Sequence, residues 1–267
     1  SPHNPSATIW SDADMRRFAA WTNLSETTFL MPPTAAGHAA GADYRLRIFS
    51  PRGELPFAGH PTLGTCRAWL QQGHTPRVPG LVVQESAQGL VQIEHQGETL
   101  AFAAPPLQRS KPSPALVPLV ASALGLRPHQ IQAAQLLDNG PVWLGLLLDS
   151  AETVLGLTPD HARLKDLGQD VGVIHIAPDA GANPERPGAV VRAFAAPMGN
   201  PEDPVTGSLN ASLAQWLIAE GLAPTRYLVA QGECLGRAGR VYIRQDAQGQ
   251  VWVGGHTVTC IEGTALL

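Results

Sequence analysis

Two words in this sequence, Glu54-Leu-Pro-Phe-Ala-Gly-His60 and Glu202-Asp-Pro-Val-Thr-Gly-Ser208, share the frame E-x-P-x-x-G-[H/S] and sit in opposite halves of a 267-residue chain. Each follows an R-x-F stretch of strand character, Arg47-Ile-Phe49 and Arg192-Ala-Phe194. Each also leads into a helix-like stretch. The first runs from Pro61, suited to the first helical position, to Gly73, a natural stop. The second starts at Ser208, a good N-cap, and runs to Gly221, with Leu209, Leu213, Trp216 and Leu217 on one face. Hairpin-like strands follow both: Leu81–Glu85 and Val91–Phe102, then Tyr227–Ala230 and Val241–Val253. Their turn residues are Ala87-Gln-Gly89 and Ala247-Gln-Gly249. The shared order of strand, frame, helix and hairpin points to an internal duplication.

The predicted fold is therefore α+β, with two similar, pseudo-symmetric domains facing each other. The proline-rich stretch Pro105–Pro114 is the best linker. It places an N-terminal domain at 1–107 and a C-terminal domain at 108–257, with a tail, 258–267, free to return to the first. A new helix is expected near Ser113-Pro114.

Composition narrows the function. Hydrophobic residues make up 44% and charged residues 15%, which suits a folded globular protein. The net charge is −4, the only lysines are Lys111 and Lys165, and the arginines are scattered. No track of cations could neutralise a nucleic-acid backbone. The longest apolar run, Val142–Leu148, is far too short to span a bilayer, and no secretory pattern is visible. Cys66, Cys234 and Cys260 are odd in number and lack CxxC spacing, so free buried thiols in the cytoplasm are expected. Nine dispersed histidines give no metal-ligand pair, and neither GxGxxG nor a P-loop is present. Neither a metal nor any other cofactor is expected.

The repeated frame is a candidate site because a helix start presents unpaired N–H groups and the positive end of the macrodipole. Two such starts aimed into one interdomain cleft would suit a small carboxylate-bearing substrate. His60 and Asp203 are the members expected to do chemistry; Gly59, Pro61, Thr62, Gly207 and Ser208 are expected to line the substrate. A purely structural role stays open: His60 and Ser208 as ordinary caps, Glu54 and Asp203 as turn partners. The third piece follows a helix capped at Ser11-Asp-Ala-Asp14. In Leu24-Ser-Glu-Thr-Thr-Phe-Leu-Met31, strand alternation puts Leu24, Glu26, Thr28 and Leu30 on one face. Among leucines, Glu26 would have a raised pKa, which suits an acid/base near neutral pH. An exposed edge position for Glu26 also stays open.

Three segments together, Asn23-Leu-Ser-Glu-Thr-Thr-Phe29, Glu54-Leu-Pro-Phe-Ala-Gly-His-Pro-Thr62 and Glu202-Asp-Pro-Val-Thr-Gly-Ser208, resemble the PhzF-like family. The ending Gly255-His-Thr-Val-Thr-Cys-Ile-Glu-Gly263 also looks like the family's closing strand. The family opens with a strand and a GNP turn, whereas this chain begins close to His3-Asn4-Pro5. The resemblance implies the diaminopimelate-epimerase fold: two domains, each a curved, mostly antiparallel sheet wrapped around a central helix, often assembled as homodimers. It implies a cofactor-independent isomerase in which Glu26 shuttles a proton, with His60, Asp203 and Ser208 lining the pocket. Two rival functions share this fold. A two-thiol racemase or epimerase would need a thiolate at each helix start, where His60 and Ser208 stand instead. A non-catalytic binder of small carboxylates would gain nothing from the extra carboxylates Glu26 and Asp203.

Overall fold

Ser11 begins a helix through a reciprocal cap: its Oγ accepts from the Asp14 N–H, and the Asp14 carboxylate accepts from the Ser11 N–H. The helix, α1, spans Asp12–Thr22 and stops at Asn23, which takes the left-handed conformation at φ 51°. The computed structural model describes residues 10–264; His3-Asn4-Pro5 lies outside them. The chain divides into two compact units, one ending at Gln92 and the other starting at Ile93.

In the first unit α1 is followed by β1 (Thr27–Met31), α2 (Ala35–Ala39), β2 (Tyr44–Ser50) and β3 (Gly53–Leu55). Then come α3 (Gly59–Gln71), β4 (Leu81–Ser86) and β5 (Gly89–Gln96), the last of which crosses the division. β2 pairs antiparallel with β1 and β3, and parallel with β4. α3 packs on β1 and β2 and buries Pro61, Leu63, Cys66 and Trp69. α1 closes a smaller cluster in which Met15 and Ala19 meet Phe49, with Trp10, Phe29 and Met31 around them.

The second unit continues with β6 (Thr99–Ala103), β7 (Gln108–Ser110), α4 (Leu116–Leu124), β8 (Ile131–Asp138) and β9 (Val142–Leu148). Next are α5 (Ala151–Leu155), α6 (His161–Leu167), β10 (Asp170–Ile176), β11 (Ala189–Ala195) and β12 (Asn200–Asp203). It ends with α7 (Gly207–Ala219), β13 (Arg226–Gln231), β14 (Gly239–Gln245) and β15 (Val251–His256). The strands pair in the order β6, β15, β14, β13, β11, β10, β9, β8, β7. All contacts are antiparallel except β9 with β10 and β11 with β13.

This sheet is built around α7, which is buried on nearly every side from Ser208 to Leu217. Gly145 on β9 and Gly172 on β10 are register partners. A Cβ on Gly172 would lie 2.2 Å from a Leu209 methyl, and one on Gly145 would lie 3.1 Å from Leu213 and 3.2 Å from Trp216. Two side chains are missing so that one helix can approach. The opposite face of β9 and β10 carries Leu144, Leu146, Leu148, Val171 and Val173 against α4, α5 and α6. Burial on both faces explains why Val142–Leu148 reads as an unbroken apolar run.

The α+β class and the sheet around a central helix agree with expectation, and several details differ. The stretch Val91–Phe102 is two strands, because Gly97 turns the chain at φ 59° between β5 and β6. β6 lies in the second compact unit and pairs along its length with β15 (Thr99↔His256 to Ala103↔Trp252). The cysteines are free, but only Cys66 is buried; Cys234 and Cys260 are exposed. No helix among the described residues is long and apolar enough to cross a membrane.

Candidate active site

The two repeated words occupy equivalent places within their own units. Arg47 on β2 forks onto Glu54 on β3, with Nε–Oε1 and Nη2–Oε2 both at 2.7 Å. Arg192 on β11 forks onto Glu202 on β12 at 2.9 and 2.8 Å. Each guanidinium also lies over the phenylalanine two residues on, 5.1 Å from the Phe49 ring centre and 5.0 Å from that of Phe194. The R-x-F strand and the first letter of the frame are thus one structural device, repeated. It pins each short strand immediately before a helix start. Arg192 reaches further and donates through Nη1 to the carbonyls of Leu157 (2.8 Å) and Val154 (3.2 Å). That bidentate pair is almost wholly buried, so removing one partner would cost about 3–5 kcal/mol.

Both helices begin earlier than expected. Ala58 caps α3, so Gly59 and His60 are its first two residues and Pro61 its third. The first four N–H groups of a helix have no internal acceptor, so a proline fits there without loss. Thr206 caps α7, so Gly207 is first and Ser208 second. Neither the Ala58 nor the Thr206 side chain caps its own helix. His60 and Ser208 hold the same second position. They differ in setting: the His60 side chain is 47% exposed, whereas Ser208 is buried with its Oγ accepting from the Trp143 indole at 3.2 Å. Thr62 is also buried; its Oγ1 accepts from Gln84, and its N–H donates to the Ala58 carbonyl. The side chains of Thr62 and Ser208 therefore serve the interior.

Glu26 lies just ahead of β1, facing α3. Thr28, two residues on and on the same face, accepts a hydrogen bond from Thr65 of α3 at 2.9 Å, which sets that register. Glu26 Oε2 comes to 2.9 Å from His60 Nε2. Beyond this contact the buried oxygen has no hydrogen-bond partner. The expected wall of leucines is absent, since Leu24 is 60% exposed. The expected upward pKa shift is absent too. Burial pushes the Glu26 carboxyl up, but the hydrogen-bonding and charge of His60, with help from Ser25, bring it below its ordinary value of 4.5. Glu26 is a carboxylate at neutral pH, ready to accept a proton.

Asp203 ends β12 and is half-buried. Its Oδ2 accepts from the Thr206 hydroxyl at 2.6 Å and its Oδ1 from Asn200 Nδ2 at 3.2 Å. Thr206 stands inside the repeated word and could have been singled out. Gln231, which closes the network from β13, carries no motif; its only signal is a polar residue ending an apolar strand.

Cys66 sits in the core beside Tyr44, and burial pushes its thiol up to about 12, far from a working nucleophile. Among the described residues, no group of three or more His, Cys, Asp or Glu is placed to hold a metal ion. A hollow in the second unit, lined by Glu94, Arg226, Tyr242, Arg244 and Trp252, includes none of the candidate residues. Its Arg244 is already paired to Glu94 at 2.6 Å and lies over the Trp252 ring.

Residues 6–263 match the phenazine biosynthesis-like protein family, PhzC-PhzF. The chain belongs to this family. Among PhzF-family relatives, trans-2,3-dihydro-3-hydroxyanthranilate isomerase of Pseudomonas aeruginosa is 32% identical, covering 95% of this chain and 88% of that protein. Antisense-enhancing sequence 1 of Schizosaccharomyces pombe is also 32% identical, covering 96% of this chain and 90% of its own length. The crystal structure of a PhzF-family protein from Enterococcus faecalis superposes with a TM-score of 0.75 at 25% identity, covering 97% of this chain and 89% of that one. The protein is accordingly an isomerase of PhzF type, and its fold is that of the PhzF-like and epimerase-like structures.

Proposed function

We propose that this PhzF-family protein moves a proton on a small carboxylate-bearing substrate, with Glu26 as acid/base and without a cofactor. The observation that carries this is the Glu26–His60 pair: a mostly buried carboxylate, 2.9 Å from an imidazole that is open to solvent, with one oxygen unsatisfied. Glu26 takes the proton as a carboxylate. His60 balances the charge on the carboxylate and, once Glu26 is protonated, holds the acid in place for return of the proton. The backbone N–H groups at Gly59 on α3, or at Gly207 and Ser208 on α7, are proposed to receive the carboxylate of the substrate, with Pro61, which has no N–H, shaping the backbone beside Gly59. Asp203 is assigned to substrate orientation. The assembly is proposed to be a cytoplasmic homodimer, as the family resemblance implies.

The high pKa of Cys66 and its place inside the core argue against the two-thiol rival. The decisive experiment is proton exchange in heavy water, with trans-2,3-dihydro-3-hydroxyanthranilate and a panel of small carboxylates as substrates. Mass spectrometry then reads deuterium uptake and isomerisation. Glu26→Gln keeps the shape and loses the proton acceptor, so exchange should fall by about 10²–10⁴-fold while affinity stays within about tenfold. Normal exchange in Glu26→Gln would remove Glu26 from the chemistry. Binding without exchange in the parent, across the whole panel, would favour a non-catalytic binder.

A further inference from the structure

Gln231 closes β13 and is 1% exposed. Its Oε1 accepts from the Thr206 backbone N–H at 3.2 Å and from Asn210 Nδ2 at 2.8 Å. Its Nε2 donates to the Asp203 carbonyl at 3.0 Å and to Thr206 Oγ1 at 2.9 Å. Two of these partners have a fixed polarity. A backbone N–H can only donate and a carbonyl can only accept, so the amide has one orientation. Thr206 Oγ1 therefore receives a hydrogen from Gln231, and its own hydrogen points to Asp203 Oδ2. The 2.6 Å separation is that of a hydroxyl donating to a charged carboxylate. Asn210, 2% exposed, braces the same turn by donating to the Thr206 carbonyl at 2.8 Å.

We propose that Gln231 is a positioning residue which, through the Thr206 hydroxyl, fixes Asp203 as a hydrogen-bond acceptor. This rests on the assignment of Asp203 to the candidate site and divides the labour there. A carboxylate whose neighbour is locked as a donor is held in its charged form, so Asp203 orients donor groups of the substrate. Proton transfer is left to Glu26 and His60. The neighbouring Glu202 is already neutralised by Arg192 and does not compete for Thr206.

The test follows the Asp203 carboxyl by carbon-13 NMR titration in the parent protein, Gln231→Met, Thr206→Val and Thr206→Ser, with Asp203→Asn to assign the signal. Thr206→Val removes the donor and Gln231→Met releases the rotor, so the Asp203 titration moves to higher pH in both. Thr206→Ser keeps the hydroxyl and follows the parent. In the exchange assay the first two lose about tenfold or more in rate, and Thr206→Ser stays within about threefold. An unmoved titration in Thr206→Val or in folded Gln231→Met overturns the proposal. Should Gln231→Met not fold, the side-chain amide protons of Gln231 in the parent take its place. They shift with the Asp203 titration and cease to do so in Thr206→Val; amide protons blind to that titration overturn the proposal equally. Displaced titrations combined with normal exchange in Asp203→Asn would leave the relay standing and remove Asp203 from the function.

Discussion

Glu26 shows how a single side chain can be placed correctly by pattern and still be misjudged in its chemistry. Alternation puts Glu26 and Thr28 on one face, and the Thr65–Thr28 bond shows that face turned to α3. The direction of its pKa follows instead from His60, a residue brought close only by the fold. Burial raises a carboxyl and a hydrogen-bonding cation lowers it; here the partner wins. The sign is testable. Replacing His60 with Ala leaves Glu26 buried and removes the group that offsets burial, so the Glu26 titration should move to higher pH. In the parent, Glu26 should remain ionised to below pH 4.5, and activity that needs the carboxylate should be lost only as pH falls past that point. Carbon-13 NMR of the Glu26 carboxyl measures this independently of turnover. An unchanged curve in His60→Ala would mean that the 2.9 Å contact carries no electrostatic coupling.

At the scale of the element, helices were easier to find than their first residues. Gly73 and Gly221 do follow the ends of α3 and α7, each with positive φ, as their sequence positions suggest. The starts shift because capping depends on partners elsewhere: the Thr206 hydroxyl is drawn to Asp203, and Ser208 is claimed by Trp143. The face of α7 was likewise seen only in part. Leu209, Leu213, Trp216 and Leu217 are buried as expected, but so are Ala211, Ser212 and Ala214, because the sheet surrounds the helix. This predicts opposite outcomes for two glycines. Gly172→Ala pushes a methyl into Leu209 and should destabilise the protein by about 1–3 kcal/mol. Gly64→Ala, at an exposed position inside α3 with nothing within 4 Å, should stabilise it by about 0.5–1 kcal/mol. Urea denaturation of the two variants decides it; equal effects would count against the close approach of α7 to β10.

For the whole molecule, stability should carry a pH dependence set by one carboxyl outside the candidate site. Asp170 opens β10 with Oδ1 unsatisfied, and burial pushes its pKa up from 3.8 to about 6. A carboxyl raised in the folded state stabilises the fold fully below 3.8 and loses that contribution as pH rises through about 6. Asp170→Asn, neutral throughout, should therefore gain stability over the parent at pH 8 and lose that advantage near pH 4. Because the group is partly exposed, the gain is about 1–2 kcal/mol once solvent screening is counted. Unfolding curves at the two pH values test it, and a gap independent of pH would rule out Asp170 as the source. What the sequence determined by itself was whatever is local or periodic: the duplicated order of elements, the two framed helix starts, the glycine stops and the face of Glu26. Only the tertiary structure decided the rest. The arginine forks on Glu54 and Glu202 need two strands to pair, and the Glu26–His60 contact and the Gln231–Thr206 bond join residues far apart in sequence. Their polarity and distance come into being only when strands pair and helices dock.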